Sequence, residues 1–233
     1  MEQEMDLEKK KEQLLDYYKF SKTAKSKEVI EAFRRVPRED FIHPSQRSQA
    51  YEDHPLPIGH GQTISAPHMA FIMCELLELK EGDKVLEIGG GSGYHAAMCA
   101  AIVAPPKSQN PGHVYTIERV PALVEFAREN LKKAGFSDLV TVIEGDGTLG
   151  YPEKAPYDAI QVTAAGPKVP EPLVEQLKVG GRLVIPVGGR HMYQELVLVK
   201  KVKPDKVIQK NVGGVAFVPL IGKHGWDYQD NIE

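Results

Sequence analysis

The chain is short of several things, and each shortage removes a class of protein. Only two cysteines occur in 233 residues, Cys74 and Cys99, and they form no CxxC pair. Nothing here resembles a secretory disulfide framework or a CxxC metal or redox pair. Both thiols lie in apolar, helix-like runs, so buried structural roles are expected. No run approaches the roughly 20 apolar residues that span a bilayer, so no membrane role is expected. The opening MEQEMDLEKKKEQ lacks the apolar core of a secretory signal, which makes a cytoplasmic protein the expectation. Charge of one sign is missing too: the formal net charge is −3, which gives no basic footprint for nucleic acid. Catalytic signatures are equally scarce. There is no Ser-His-Asp ordering, no HExxH and no pair of catalytic carboxylates, and no metal is expected.

What is present is a change of rhythm. Helices are expected over 5–20 and 26–36, the second placing Val29, Ile30, Phe33 and Val36 on one face, with Pro37 as its stop. An irregular stretch follows to about Gly61. SAPHMAFIMCELLEL then reads as a helix with Ser65 or Ala66 as cap and Pro67 in its first turn. From Lys84 the segments KVLEI, HVYTIE, LVTVIEGD and YDAIQVT read as strands, with helices at 93–104 and 120–134 between the first three. A short helix near 169–178 leads into GGRLVIPVG. This alternation predicts an α/β fold, with a mostly parallel sheet covered by helices on both faces. YQELVLVKKV and GGVAFVPL have no helix between them and predict an antiparallel hairpin at the sheet edge. The expected organisation is a helical region, 1–78, packed on an α/β domain, 79–233, with 104–112 as a surface loop.

VLEIGGGSGY, residues 85–94, packs four glycines into five positions directly after the first strand. Ligands of α/β sheets bind there, beyond the strand's carboxyl end. Read from Gly89, the dinucleotide pattern GxGxxG fails at Tyr94; read from Gly91 it passes as far as Ala96. The glycines alone therefore leave NAD and S-adenosylmethionine both open. Glu118, at the end of YTIE, can accept hydrogen bonds from two ribose hydroxyls, or it can be a solvated strand-end acid. Glu87 adjoins the loop, where it would repel a pyrophosphate but suit a cationic amino-acid group. Asp146 and Gly147 in IEGDG are placed to bond an adenine amino group and let the ring lie against backbone; Asp146 can also be a plain turn former. As a set, these residues favour a sulfonium nucleoside.

With these residues in view, the sequence resembles the protein-L-isoaspartate (D-aspartate) O-methyltransferases. The likeness rests on PLPIGHGQTISAPHM (55–69), the glycine loop, EGDGTLGYPEKAPYDAI (144–160), VPEPLVEQLKVGGRLVIPVG (169–188) and FVPLIGKHGW (217–226). It implies a Rossmann-like methyltransferase fold, S-adenosyl-L-methionine (AdoMet) as methyl donor, S-adenosyl-L-homocysteine as product and isoaspartyl proteins and peptides as substrates. By the same resemblance Ser65 is the active-site serine and Val215–Leu220 a peptide-binding edge strand. Gln62 and Thr63 lie over the cofactor, joining Glu87, Gly89, Gly91, Glu118, Asp146 and Gly147 as its expected contacts. A monomer is expected. A methyltransferase of small carboxylates, or an AdoMet- or peptide-binding protein without catalysis, stays open as a rival.

The implied chemistry explains the missing catalytic signatures. A free α-carboxylate with a pKa near ~4 is already ionised at neutral pH and needs no general base. It needs alignment on the methyl group and removal of its water. The Ser65 hydroxyl can hold one carboxylate oxygen, and it can also cap the helix that follows. His68, three residues on, either faces the site or packs. Gly90 stands where many methyltransferases carry a polar residue, with no evident function.

Overall fold

A computed structural model describes residues 2–190 and 193–227. Two helices lead the chain, α1 (Glu2–Phe20) and α2 (Lys27–Arg35). Ser26 starts α2 by accepting the Val29 amide, and Val29, Ala32 and Phe33 form its buried face. Phe33 is wholly buried and packs its ring on Tyr51 and Phe71, so truncation to alanine is expected to cost about 3–5 kcal/mol. A small antiparallel hairpin follows, β1 (Leu56–Gly59) with β2 (Gln62–Ile64), inside the stretch expected to be irregular, and α3 (Pro67–Leu77) comes next.

The sheet then builds from the expected alternation: β3 (Lys84–Ile88), α4 (Tyr94–Val103), β4 (His113–Glu118), α5 (Pro121–Lys133), β5 (Val140–Glu144), β6 (Tyr157–Val162), α6 (Glu171–Gln176) and β7 (Leu177–Gly188). Two more strands, β8 (Gln194–Lys203) and β9 (Lys206–Val215), complete an order of β5-β4-β3-β6-β7-β8-β9. The first five in that order are parallel, and β8 and β9 add on antiparallel. After β3 the chain builds outward through β4 and β5, then returns to place β6 on the other side of β3. That reversal opens a crevice at the carboxyl ends of β3 and β6.

YHAAMCAAIV, the sequence of α4, is apolar all round, and every one of its residues is buried. It lies in one continuous core with α2, α3 and α5, so the N-terminal helices share their interior with the α/β part. Both cysteines are free and buried within that core. The opposite sheet face is covered more thinly, by α6 and the short turns near Tyr151.

The edge hairpin differs from its sequence reading. β8 pairs with Lys206–Val215, so GGVAFVPL supplies only the end of β9. The pattern along KVIQKNVGGV is almost wholly exposed, because an edge strand here has no layer to pack against and so no alternation to read. Beyond Val215 the chain leaves the strand and returns over the crevice, where Ala165 donates to the Val218 carbonyl at 2.8 Å and accepts the Leu220 amide at 2.8 Å.

Candidate active site

The glycine loop turns β3 into α4. The Gly89 amide donates to the Ile117 carbonyl at 2.9 Å, and Gly93, at φ +85°, caps α4. Gly90 gains a reason that its sequence does not show. A Cβ there would lie 2.7 Å from the Thr116 hydroxyl oxygen, so the loop rests on β4 too closely for any side chain. Glu118 ties the same loop down from the end of β4. One carboxylate oxygen accepts the Gly91 amide at 2.9 Å and the other the Val120 amide at 2.9 Å. The residue is only 5% exposed. Each oxygen keeps a further lone pair, which is what two ribose hydroxyls would require.

Glu87 is placed otherwise than its sequence suggests. It is 0% exposed and points into the sheet face beneath the loop, away from the crevice. Its oxygens accept from the Thr116 hydroxyl at 2.6 Å and the Gln161 amide at 2.8 Å, the side chains beside it on β4 and β6. Burial pushes its pKa up to about 8; the two hydrogen bonds oppose the shift, and Glu118 adds to it.

Asp146 is likewise engaged by protein. Oδ1 accepts from the Thr148 amide at 2.9 Å and the Thr148 hydroxyl at 2.7 Å, while Oδ2 accepts the Lys223 amide at 2.8 Å. It therefore pins the returning C-terminal segment, where the sequence reading had it hold an adenine. Gly147 does reach the crevice, and a Cβ on it would collide with Ile88 at 2.4 Å.

The crevice brings together Gln62, Thr63, Gly89, Gly91, Glu118 and Gly147. Three further stretches complete it: Arg119–Val120 and Thr163–Ala164, which the sequence reading left out of the site, and Val218–Ile221, most of which it had placed in a peptide-binding edge strand. The first two are legible in hindsight, since they directly follow β4 and β6 at the reversal of strand order. The third is not, because nothing in FVPLIG says that it folds back. Thr163 also fixes the loop, its hydroxyl donating to the Gly89 carbonyl at 2.7 Å.

A second, smaller hollow adjoins the first across Gly89 and Gly91, and Ser65, Tyr94 and His95 line it. Ala66, not Ser65, caps α3, and no side chain caps that helix. The Ser65 hydroxyl makes no hydrogen bond with the described residues, and its carbonyl accepts from Arg38 at 2.8 Å. His68 turns its Nδ1 to Asp53 at 2.8 Å and borders neither hollow. Burial disfavours the Asp53 carboxylate, but hydrogen bonds from Tyr18 and His68 outweigh it and hold its pKa below the usual range. A larger hollow lies between α2, α3 and Pro105–Pro106, and touches none of the expected site residues. Chemistry, not volume, selects the site.

A glycine loop after β3, an acid bonded to that loop from β4 and a crevice at the strand reversal define a nucleoside-binding site in a Rossmann-like methyltransferase fold. The sequence model of the protein-L-isoaspartate(D-aspartate) O-methyltransferase family matches residues 9–225, and the chain belongs to that family. A protein-L-isoaspartate O-methyltransferase of Thermococcus onnurineus is 58% identical over 202 residues, 87% of this chain and 89% of that protein. One of Hyperthermus butylicus is 57% identical over 204 residues, 87% and 84% of the two chains. Among solved structures, the Plasmodium falciparum protein, crystallised with S-adenosyl-L-homocysteine, superposes with a TM-score of 0.79 at 30% identity. That match covers 90% of this chain and 97% of the other.

Proposed function

We propose that the chain performs its family's reaction in the two adjoining hollows: transfer of a methyl group from AdoMet to the free α-carboxylate of isoaspartyl residues in damaged proteins. The observation that carries this reading is the shared wall. Gly89 and Gly91 border both hollows, so the loop that would cradle the donor also floors the space before the Ser65 hydroxyl. Bound in the larger hollow, AdoMet supplies an electrophilic methyl on a positively charged sulfur.

The protein's part is to hold and to dry. Glu118 receives the ribose, Gly89, Gly91 and Gly147 admit the nucleoside against backbone, and Gln62 and Thr63 close over it. Glu87 acts from beneath the loop, through Thr116, without touching the ligand. The Ser65 hydroxyl, free of partners among the described residues, donates to one oxygen of the acceptor carboxylate and leaves the other for attack. His95 borders the acceptor space but burial lowers its pKa to about 4, so it is neutral and takes no charge at working pH. No general base is needed, and the acceptor arrives ionised. Free buried cysteines suit a reducing compartment such as the cytoplasm.

The decisive experiment is radiolabel transfer from AdoMet to paired peptides that differ only in an isoaspartyl or an aspartyl linkage. Label in the isoaspartyl peptide alone is expected. Equal labelling of both, or labelling only of small free carboxylic acids, overturns the substrate assignment, and no labelling at all overturns catalysis.

A further inference from the structure

Directly behind Ser65 the fold buries a cation without a carboxylate partner. Arg38 stands in the short turn after Pro37 and is 0% exposed. Its Nε donates to the Ala50 carbonyl at 2.8 Å and its Nη2 to the Ser65 carbonyl at 2.8 Å. The guanidinium carbon lies 4.9 Å from the ring centroid of Tyr94, the first residue of α4. Nη1 is buried and makes no hydrogen bond with the described residues. The nearby acids have other partners: Asp53 takes the Tyr18 hydroxyl at 2.6 Å and His68, Glu39 takes the Tyr51 hydroxyl at 2.5 Å, and Asp40 pairs with Arg47 and Lys133.

A buried, unpaired guanidinium is expensive, and tying two carbonyls does not require a full charge. The location accounts for the expense. The acceptor hollow has no charged residue in its lining once His95 is neutral, and burial together with the Arg38 charge keeps it so. Ser65 and Tyr94, both in that lining, are the two residues that Arg38 touches on this side. A positive charge behind an otherwise uncharged, water-poor wall attracts an anion more strongly than the same charge in water.

We propose that Arg38 is a positioning residue for methyl transfer: it clamps the Ser65 backbone in register with the glycine-loop helix and biases the acceptor hollow toward a carboxylate. The inference rests on Ser65 as the acceptor-holding residue, and its test separates the two. Arg38→Lys, Arg38→Met, Ser65→Ala and the double variant Arg38→Lys/Ser65→Ala are compared by kcat and KM on one isoaspartyl peptide, by AdoMet titration and by thermal melting.

Lysine keeps the charge but cannot span both carbonyls, so Arg38→Lys should lower kcat at least ~tenfold with KM little changed. Arg38→Met should also raise peptide KM at least ~fivefold, while AdoMet affinity stays within about threefold in both. In the Ser65→Ala background, Arg38→Lys should change kcat less than ~twofold, since the group it positions is gone. A merely structural arginine would move melting temperature and leave this pattern absent.

Wild-type kcat in Ser65→Ala overturns the Ser65 assignment and this inference with it. A fall in Ser65→Ala that simply multiplies with that of Arg38→Lys, or wild-type kcat in Arg38→Lys, overturns the positioning role alone. Should neither Arg38 variant fold, a backbone ester between Ser65 and Ala66 weakens the same carbonyl acceptor with every side chain kept. It should lower kcat at least ~threefold with AdoMet affinity retained, and unchanged kcat overturns the clamp.

Discussion

The Gly91 amide donates to the Glu118 carboxylate at 2.9 Å, which fastens the glycine loop to the end of the neighbouring strand. The acid expected to read a ribose is therefore also the acid that shapes the loop beneath it. Glu118→Ala removes both roles and leaves the Gly91 and Val120 amides without their acceptor. AdoMet binding should weaken by about 1.5–3 kcal/mol, the range for hydrogen bonds to a charged group. Titration calorimetry measures it, with NADH as control. Tighter binding of NADH than of AdoMet would show that the site holds a dinucleotide.

Asp146 tests whether a residue tethers or reads. Its three hydrogen bonds run to Thr148 and Lys223, so Asp146→Ala should lower stability by about 1–3 kcal/mol. AdoMet affinity should fall with it, because the released segment includes the Val218–Ile221 wall. A variant with unchanged melting temperature and lost AdoMet binding would return Asp146 to the role of adenine contact.

Ser65 caps nothing, which sharpens the expectation for its removal. Loss of a helix cap would cost about 0.5–2 kcal/mol, and Ser65→Ala should show almost none of that. It should instead lose at least about tenfold in kcat, ~1.4 kcal/mol of transition-state stabilisation. Ser65→Thr keeps a hydroxyl and should retain more activity than Ser65→Ala. Initial rates, AdoMet titration and melts on one preparation decide it, and an unchanged kcat in the folded alanine variant would end the assignment.

Glu87 makes stability depend on pH in an uncommon direction for a carboxyl. Burial raises its folded pKa to about 8 from an ordinary 4.5, so between these values the folded chain holds a proton that the unfolded chain has released. Rising pH therefore costs stability through that window, by at most ~1.4 kcal/mol per pH unit. Glu87→Gln lacks this loss. The melting temperature of the native chain relative to Glu87→Gln should drop steadily from pH 5 to pH 8.5. A native chain that gains on the variant over that range would mean an ionised Glu87 held by a positive partner.

The sheet was legible in the sequence because short, mostly apolar strands alternate with helical runs from Lys84 onward, and α4 is buried along its whole length. The glycine loop and Glu118 were legible for a topological reason: their distance from a strand end fixes them in space. The burial of Glu87 and the tether made by Asp146 could not be read, because an acid beside a loop looks the same in sequence whether it faces a ligand or the interior. What separated them was Thr116, Gln161 and Lys223, donors 29, 74 and 77 residues away along the chain. Arg38 escaped notice altogether, since a basic residue after a helix-stopping proline has every local mark of a surface turn.

The returning segment past Val215 contributes no strand to the seven-stranded sheet. It is held by Ala165 at Val218 and Leu220, by Asp146 at Lys223 and by the Trp226 indole, which donates to the Ala165 carbonyl at 3.0 Å. A proteolytic nick between Val215 and Val218, followed by loss of the segment beyond it, would leave every pairing of the seven-stranded sheet in place and strip one wall from the donor crevice. Such a molecule would still melt cooperatively and still pass for native by circular dichroism, yet it would be silent in an assay. The useful lifetime of the enzyme would then be set by the survival of about ten residues, well before the fold itself wears out.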